Sequence, residues 1–224
     1  MKLGTLVFSR HDSCRLPGKA LRSVGGMPLL ERVLRRALLL PWPVYLATTS
    51  KPCDDPLVAL AARLGVDSFR GSEDRVLERA VMAAETFGLD AIARICGDRP
   101  LFPLDDLVHA LIAMRDDVST PDMVTNRTLH GMPPGLTTEV IRTRTLRNIL
   151  DRGVSPAEQE HLTSHFYAHP EAFRLVSIPP PADSYTCPGF AVDTEADLTR
   201  LERIFAVSAA LDLTTLEAER IYRS

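Results

Sequence analysis

The sequence predicts an α/β fold, a three-layer sandwich with a mostly parallel central sheet, from three observations. Short apolar runs alternate with amphipathic helical patterns through the first half of the chain, and the connections between them are short. Polar residues of ligand type collect directly after Phe8, Leu46, Phe69 and Ile95, each near the end of an apolar run. Parallel strands of this kind need right-handed crossovers that cover both faces, and such sheets bind ligands beyond the carboxyl ends of their strands.

The elements follow in order. Residues 3–9 read as a buried strand. A helix begins near Pro28 and carries Leu30, Val33, Leu34, Ala37 and Leu38 on one face until Pro41 closes it. Residues 44–49 form the second strand. Asp54-Asp55-Pro56 opens a helix that runs to Leu64 and stops at Gly65. Strand 66–69, helix 74–87 ended by Gly88, strand 90–96 and helix 103–114 continue the alternation.

The middle of the chain differs. Pro121, Gly131, Pro133, Pro134 and Gly135 break residues 120–139 into loops around a short strand at 123–125. A strand at 136–141 and helices at 143–152 and 156–169 follow. Residues 120–170 therefore read as an excursion from the sheet, a protruding subregion for an acceptor or a subunit contact. Strand 173–178, a stiff Pro179-Pro180-Pro181 connector, a short strand at 190–192 and helices at 197–205 and 215–222 close the chain.

With 224 residues, 45% hydrophobic and 25% charged, the chain fits one domain over 1–224 with a sizeable core. A net charge of −3 gives no general attraction to nucleic acid or to an anionic membrane. No apolar run approaches the roughly 18–20 residues that span a bilayer, and no signal-peptide pattern opens the chain. Cys14, Cys53, Cys96 and Cys187 are widely spaced, which argues against zinc or a disulfide framework and for a cytoplasmic location. Cys14 has cationic neighbours that favour a thiolate, but a catalytic thiol is not expected there.

Residues 9–19, Ser-Arg-His-Asp-Ser-Cys-Arg-Leu-Pro-Gly-Lys, leave the first strand directly. Arg10, Arg15 and Lys19 supply fixed cations, while Ser9, Ser13 and Gly18 let the backbone approach closely. That combination at a strand end suits an oligophosphate, although the spacing of a P-loop is absent. Asp98, beside Gly97 at another strand end, is either a magnesium ligand or a turn residue satisfying its own backbone. Asp193 is a second candidate ligand, with Asp193 or Thr194 capping the helix that follows. Two carboxylates suit a magnesium–triphosphate, because Mg²⁺ takes one or two from protein and completes its shell with phosphates and water. Arg70, Ser72 and Asp74 are open between a capped turn and a nucleotide contact. Thr48 either meets a base or ends a strand. His161, His165 and His169 share a helical face at i, i+4 and i+8; lacking a matching carboxylate motif, they read as a partly buried face rather than a metal site.

Taken in order, these segments resemble the cytidylyltransferases, most nearly the SpsF-type members of spore-coat polysaccharide biosynthesis, with octulosonate and acylneuraminate enzymes as relatives. The likeness rests on residues 9–19, Ala47-Thr48-Thr49 with Asp54-Asp55-Pro56, and Phe69-Arg70-Gly71-Ser72-Glu73-Asp74. It continues through Arg94-Ile95-Cys96-Gly97-Asp98-Arg99-Pro100-Leu101, Gly135 to Val140, Glu160-His161-Leu162-Thr163 and Val192 to Leu198. The resemblance spans about residues 4–205. It implies a nucleotide-diphosphosugar-transferase sandwich, CTP and a sugar-acid acceptor as substrates, Mg²⁺ as cofactor and a homodimer.

By the same resemblance, Arg10, Lys19 and Asp98 are catalytic, and Asp98 and Asp193 hold Mg²⁺. Ser9, Ser13, Arg15, Thr48 and Gly97 join the nucleotide site, with Arg70, Ser72 and Asp74 lining base or ribose. Glu139, Glu160 and His161 face the acceptor. Two positions depart from the pattern. His11-Asp12 replaces the usual Met-Gly, which places an extra carboxylate beside the phosphates, and Pro188-Gly189-Phe190 stands where relatives keep a more regular strand. The implied reaction is transfer of CMP from CTP with release of pyrophosphate. Its rivals are a glycosyltransferase using a nucleotide sugar, a uridylyl- or guanylyltransferase, and a catalytically silent nucleotide-binding homologue.

Overall fold

The computed structural model describes residues 1–13, 15–127, 132–178 and 188–224. Cys14, Gly131, Cys187 and the Pro179-Pro180-Pro181 connector lie outside the described residues.

The parallel half of the sheet forms where the apolar runs place it: β1 Leu3–Phe8, β4 Val44–Thr49, β5 Asp67–Gly71 and β6 Ala91–Cys96. Every residue of β1 is buried, because it lies between β4 and β6 with helices on both faces. Alternation within the strand then divides the core. Leu3 and Val7 join residues of α1 Leu29–Ala37, α2 Asp55–Arg63 and α4 Leu104–Asp116 on one face. Leu6 and Phe8 join α3 Val76–Thr86 and α5 Thr143–Arg152 on the other.

The middle segment does not leave the sheet. β7 Met123–Thr125 and β8 Glu139–Arg142 extend it, followed by β9 Leu175–Ser177, in the seven-stranded order β5-β4-β1-β6-β8-β7-β9. β8 runs antiparallel to both neighbours and β9 pairs parallel with β7. Each of these strands has only three or four residues, too few for their periodicity to show where they pair.

Three other differences matter for the site. Residues 156–169 are not one helix: α6 Pro156–Glu160 and α7 Ser164–Ala168 are separated by a turn at His161. Among the described residues, 190–192 form no ladder; the Phe190 N–H donates to the Pro134 carbonyl at 2.8 Å and the Val192 N–H to that of Asp98 at 2.9 Å. A two-stranded hairpin, β2 Ser23–Val24 with β3 Met27–Pro28, turns at Gly25-Gly26, both with positive φ.

The carboxyl-terminal arm, α8 Glu195–Val207 and α9 Thr215–Arg223, packs on this hairpin through Val24, Leu201, Phe205 and Leu213. Among the described residues, no helix is long and apolar enough to cross a membrane.

Candidate active site

β1 and β6 are neighbours in parallel register, so their following loops leave side by side. A Cβ on Gly97 would lie 2.7 Å from Ser9 Cβ and 3.2 Å from the Phe8 carbonyl, so glycine there permits the close approach. The Gly97 N–H donates to that carbonyl at 2.7 Å.

The loop after β1 is pinned from beneath. Asp54, almost wholly buried, accepts from the His11 N–H at 2.7 Å, the Thr48 hydroxyl at 2.9 Å and the Thr49 N–H at 3.0 Å. Burial alone would raise the Asp54 carboxyl; the Thr49 and Thr48 hydroxyls and the His11 and Thr49 N–H groups more than offset it and hold it low. The His11 carbonyl in turn accepts from the Gly18 N–H, at φ 67°, which closes the loop and presents Lys19.

Lys19 is where distant parts of the chain meet. Its Nζ donates to Asp98 Oδ2 at 2.7 Å, the Val192 carbonyl at 2.7 Å and Asp193 Oδ1 at 3.1 Å. Arg15 adds a contact to the same Asp193 oxygen at 2.9 Å. Burial works to lower the Lys19 ammonium, but Asp98 and Asp193 hold it above the ordinary lysine value. Asp193 can serve the site because Thr194 caps α8: the Thr194 hydroxyl accepts from the Asp197 N–H. The Asp197 carboxylate accepts from the Asp193 N–H at 3.0 Å, fixing the backbone just before the helix.

These groups border a cavity of about 360 Å³ at the carboxyl ends of β1 and β6. Ser9, Arg10, Ser13, Arg15, Lys19, Gly97, Asp98, Glu160, His161 and Asp193, all singled out in the sequence, line it together. Arg10 lies 3.8 Å from Glu73 and 3.9 Å from Glu160, so its guanidinium is held loosely between two carboxylates at the cavity wall.

Thr48, Arg70, Ser72 and Asp74 are not among the lining residues. Thr48 is committed to Asp54. Arg70 ties down the loop after β4, donating to the Thr49 and Lys51 carbonyls and to Asp55 at 2.6 Å. The Ser72 hydroxyl accepts from the Arg75 N–H, and Asp74 is exposed at the start of α3. Asp12 does not add a carboxylate to the cavity lining; it pairs with Lys51 at 3.3 Å, and Lys51 also holds Glu73 at 2.5 Å.

Glu139 is buried one layer behind the cavity. It accepts from Arg94 at 2.6 Å and from the Tyr167 hydroxyl at 2.9 Å, and Arg94 is the member of this group that reaches the cavity. Burial would raise the Glu139 carboxyl, but the Arg94 charge and hydrogen bond keep it low.

Arg79 and Arg94 line the cavity without having been singled out. Both carried a signal: a lone arginine on the apolar face of α3 beside Val76, Ala80 and Ala83, and a lone arginine within the apolar run of β6. Arg79 donates to the Ser72 and Glu73 carbonyls. Burial, together with the neighbouring Arg10 charge, pushes it down to about 10.

A cationic wall with a carboxylate pair at one end is suited to an anionic ligand that carries a divalent cation. The family model described as "Cytidylyltransferase" matches residues 5–202. The chain belongs to the cytidylyltransferase family. Among curated relatives it is 29% identical over 209 residues to the spore coat polysaccharide biosynthesis protein SpsF of Bacillus subtilis, covering 89% of this chain and 85% of that one. A shorter match, 33% identical over 99 residues, is to 3-deoxy-manno-octulosonate cytidylyltransferase of Legionella pneumophila and covers 42% of this chain and 39% of that one. The solved structure of a cytidylyltransferase from Leptospira borgpetersenii superposes with a TM-score of 0.93 at 25% identity, covering 100% of this chain and 94% of that one. The nucleotidyltransferase-type sandwich expected from the resemblance is therefore the fold of this family member.

The donor set also fits a magnesium ion. Two carboxylate oxygens and a carbonyl oxygen already surround a single cationic centre, the Lys19 ammonium, at 2.7–3.1 Å. All three are hard oxygen donors of the kind Mg²⁺ takes.

Proposed function

We propose that this cytidylyltransferase transfers CMP from CTP to a sugar-acid acceptor and releases pyrophosphate, with Mg²⁺ as cofactor. The observation that carries this reading is the convergence of Lys19, Asp98 and Asp193 in one cavity that Arg10, Arg15 and Arg79 also line. The names of the relatives, a polysaccharide biosynthesis protein and an octulosonate cytidylyltransferase, support a sugar-acid acceptor for surface polysaccharide or glycoconjugate synthesis.

In this reading an acceptor oxygen attacks the α-phosphorus in line. The bond from that phosphorus to the bridging oxygen breaks, pyrophosphate carries away its electron pair, and the acceptor's proton passes to water. Lys19, Arg10 and Arg15 bind the triphosphate and offset charge growing on the leaving oxygens. Asp98 and Asp193 would hold Mg²⁺, which supplies charge neutralisation and polarisation of the phosphate when bound. Glu160, the last residue of α6, and His161, on the turn that follows, orient the acceptor at the other side of the cavity. Arg94, fixed by Glu139, contributes a further cation to the cavity wall.

The test is a pyrophosphate-release screen of CTP, UTP, GTP and ATP against sugar acids and their phosphorylated analogues, with and without Mg²⁺. Magnesium-dependent pyrophosphate release with CTP and a sugar acid supports the reading. Release of a nucleoside diphosphate from a nucleotide sugar would replace it with glycosyl transfer, and nucleotide binding without turnover would replace it with a silent homologue. We propose a homodimer on the family resemblance, and sedimentation of the full chain at twice its own mass tests it.

A further inference from the structure

Beyond the cavity, the α6–α7 pair carries a cluster that the reaction does not use. The sequence places His165 and His169 at helical spacing without a matching carboxylate motif. The turn at His161 supplies one by folding α6 against α7. Nitrogen and oxygen atoms of Glu158, His165 and His169 lie within 4.8 Å of one another, and none of the three residues lines the cavity.

Glu158 is fixed in place. Its Oε2 accepts the Ser155 N–H at 3.0 Å and the Ser155 hydroxyl at 2.6 Å, as part of the capping box that opens α6. Its other oxygen lies 2.6 Å from His165 Nδ1. The His165 and His169 ring centres are 4.7 Å apart. Glu171, whose carboxylate lies 4.0 Å from His169 Nδ1, stands within reach of the same group.

We infer that Glu158, His165 and His169 form a binding site for a divalent cation of the zinc class, distinct from the carboxylate pair at Lys19. Two imidazoles and one carboxylate are a ligand set that Zn²⁺ and its late first-row neighbours take, with a fourth position left for water or Glu171. Mg²⁺ prefers oxygen ligands and is not served by this set. Ligand atoms around tetrahedral zinc sit about 3.3 Å apart, so rotation of these partly exposed side chains has to open the 2.6 Å Glu158–His165 contact and bring His169 into the same shell. A cation there bridges α6 to α7 across the turn that carries Glu160 and His161 to the cavity. The inference does not depend on the reaction proposed above, since it concerns residues outside the cavity.

The test is calorimetric titration of the metal-free full-length chain with ZnCl₂ in excess Mg²⁺. One saturable event is expected, weakened at least tenfold by Glu158→Gln and by His169→Ala and unchanged by Asp98→Asn. Glutamine keeps an acceptor for Ser155, and His169 is half exposed, so both variants keep the fold; their melting without metal checks this. Zn²⁺ should raise the melting temperature of the parent and not of the variants. Co²⁺ should give tetrahedral absorption bands that both variants lose. Absence of a saturable event, equal binding in both variants, or loss of the event in Asp98→Asn overturns the site.

Discussion

Lys19 is the side chain on which three separate segments converge, and its neighbours make its removal informative. Asp98 and Asp193 lie 2.7 and 3.1 Å from its ammonium, so Lys19→Ala leaves two carboxylates facing one another without their shared cation. Lys19→Ala and Asp98→Asn should each lower pyrophosphate release by about 10²–10³-fold, the usual loss when a preorganised charge is removed from a transition state. Near-normal turnover in either folded variant would remove the residue from the mechanism. Glu139 acts differently, through Arg94, and its signature is a pH dependence. Its folded carboxyl is held below the ordinary value of 4.5, so the stabilisation is present above that value and is lost as pH falls through the folded one. Glu139→Gln should therefore cost about 3 kcal/mol near neutrality, as expected for a broken buried ion pair, and progressively less below pH ~4.5. Urea midpoints at pH 7 and pH 4 measure this, and a penalty that stays constant with pH would contradict it. Arg10, Arg15 and Lys19 were legible because their charges fall together at one strand end. Arg94 was not, since an arginine inside a strand reveals neither its partner nor the surface it reaches until Glu139 is folded against it.

At the scale of elements, the strand ends hold the site together through close backbone approach. Gly97 lets β6 leave the sheet against Ser9, and a methyl group there meets both Ser9 and the Phe8 carbonyl. Gly97→Ala should cost about 1–3 kcal/mol, the range for overpacking. Turnover should fall further than stability suggests, by roughly 10²-fold, because the shift separates Ser9 and Lys19 from Asp98. Thermal melting beside initial rates tests this, and an unchanged rate with a lowered melting temperature would show that the approach serves packing alone. Of the parallel strands, β1, β4 and β6 were legible as apolar runs, whereas β5, with Phe69 as its one large apolar side chain, was legible mainly from its place between two helices. β7 and β8 were legible as strands but not as members of the sheet: their pairing depends on partners distant in sequence, and Pro133, Pro134 and Gly135 between them read as loop. Gly189 has a similar history. The stretch after it reads as a strand, yet a Cβ at Gly189 would lie 2.3 Å from the Pro134 carbonyl, so the segment crosses another loop instead of pairing in the sheet.

For the whole molecule, the question is what keeps the carboxyl-terminal arm, and with it Asp193, seated on the sandwich. Two fully buried arginines of α1 do much of this. Arg32 donates to the Val24, Gly25 and Ala209 carbonyls, and Arg36 to those of Phe102, Leu211 and Leu213. Burial pushes Arg36 down to about 10, a sign of how little solvent reaches it. Its fork therefore links Phe102, in the same loop after β6 that carries Asp98, to the connection between α8 and α9. Arg36→Leu matches the apolar surroundings but leaves three carbonyls without their donor, each costing on the order of 1–3 kcal/mol if it stays buried. Some will find water, so a total loss of about 3–5 kcal/mol is expected, read as a lower urea midpoint. Arg36→Lys keeps the charge without the planar fork and should fall between the two. Nucleotide with Mg²⁺ should stabilise Arg36→Leu less than the parent, because the arm that presents Asp193 has lost an anchor. If both variants unfold at the parent midpoint, the apolar contacts of Leu29, Leu201 and Phe205 seat the arm by themselves, and the arginine fork has no part in positioning the site.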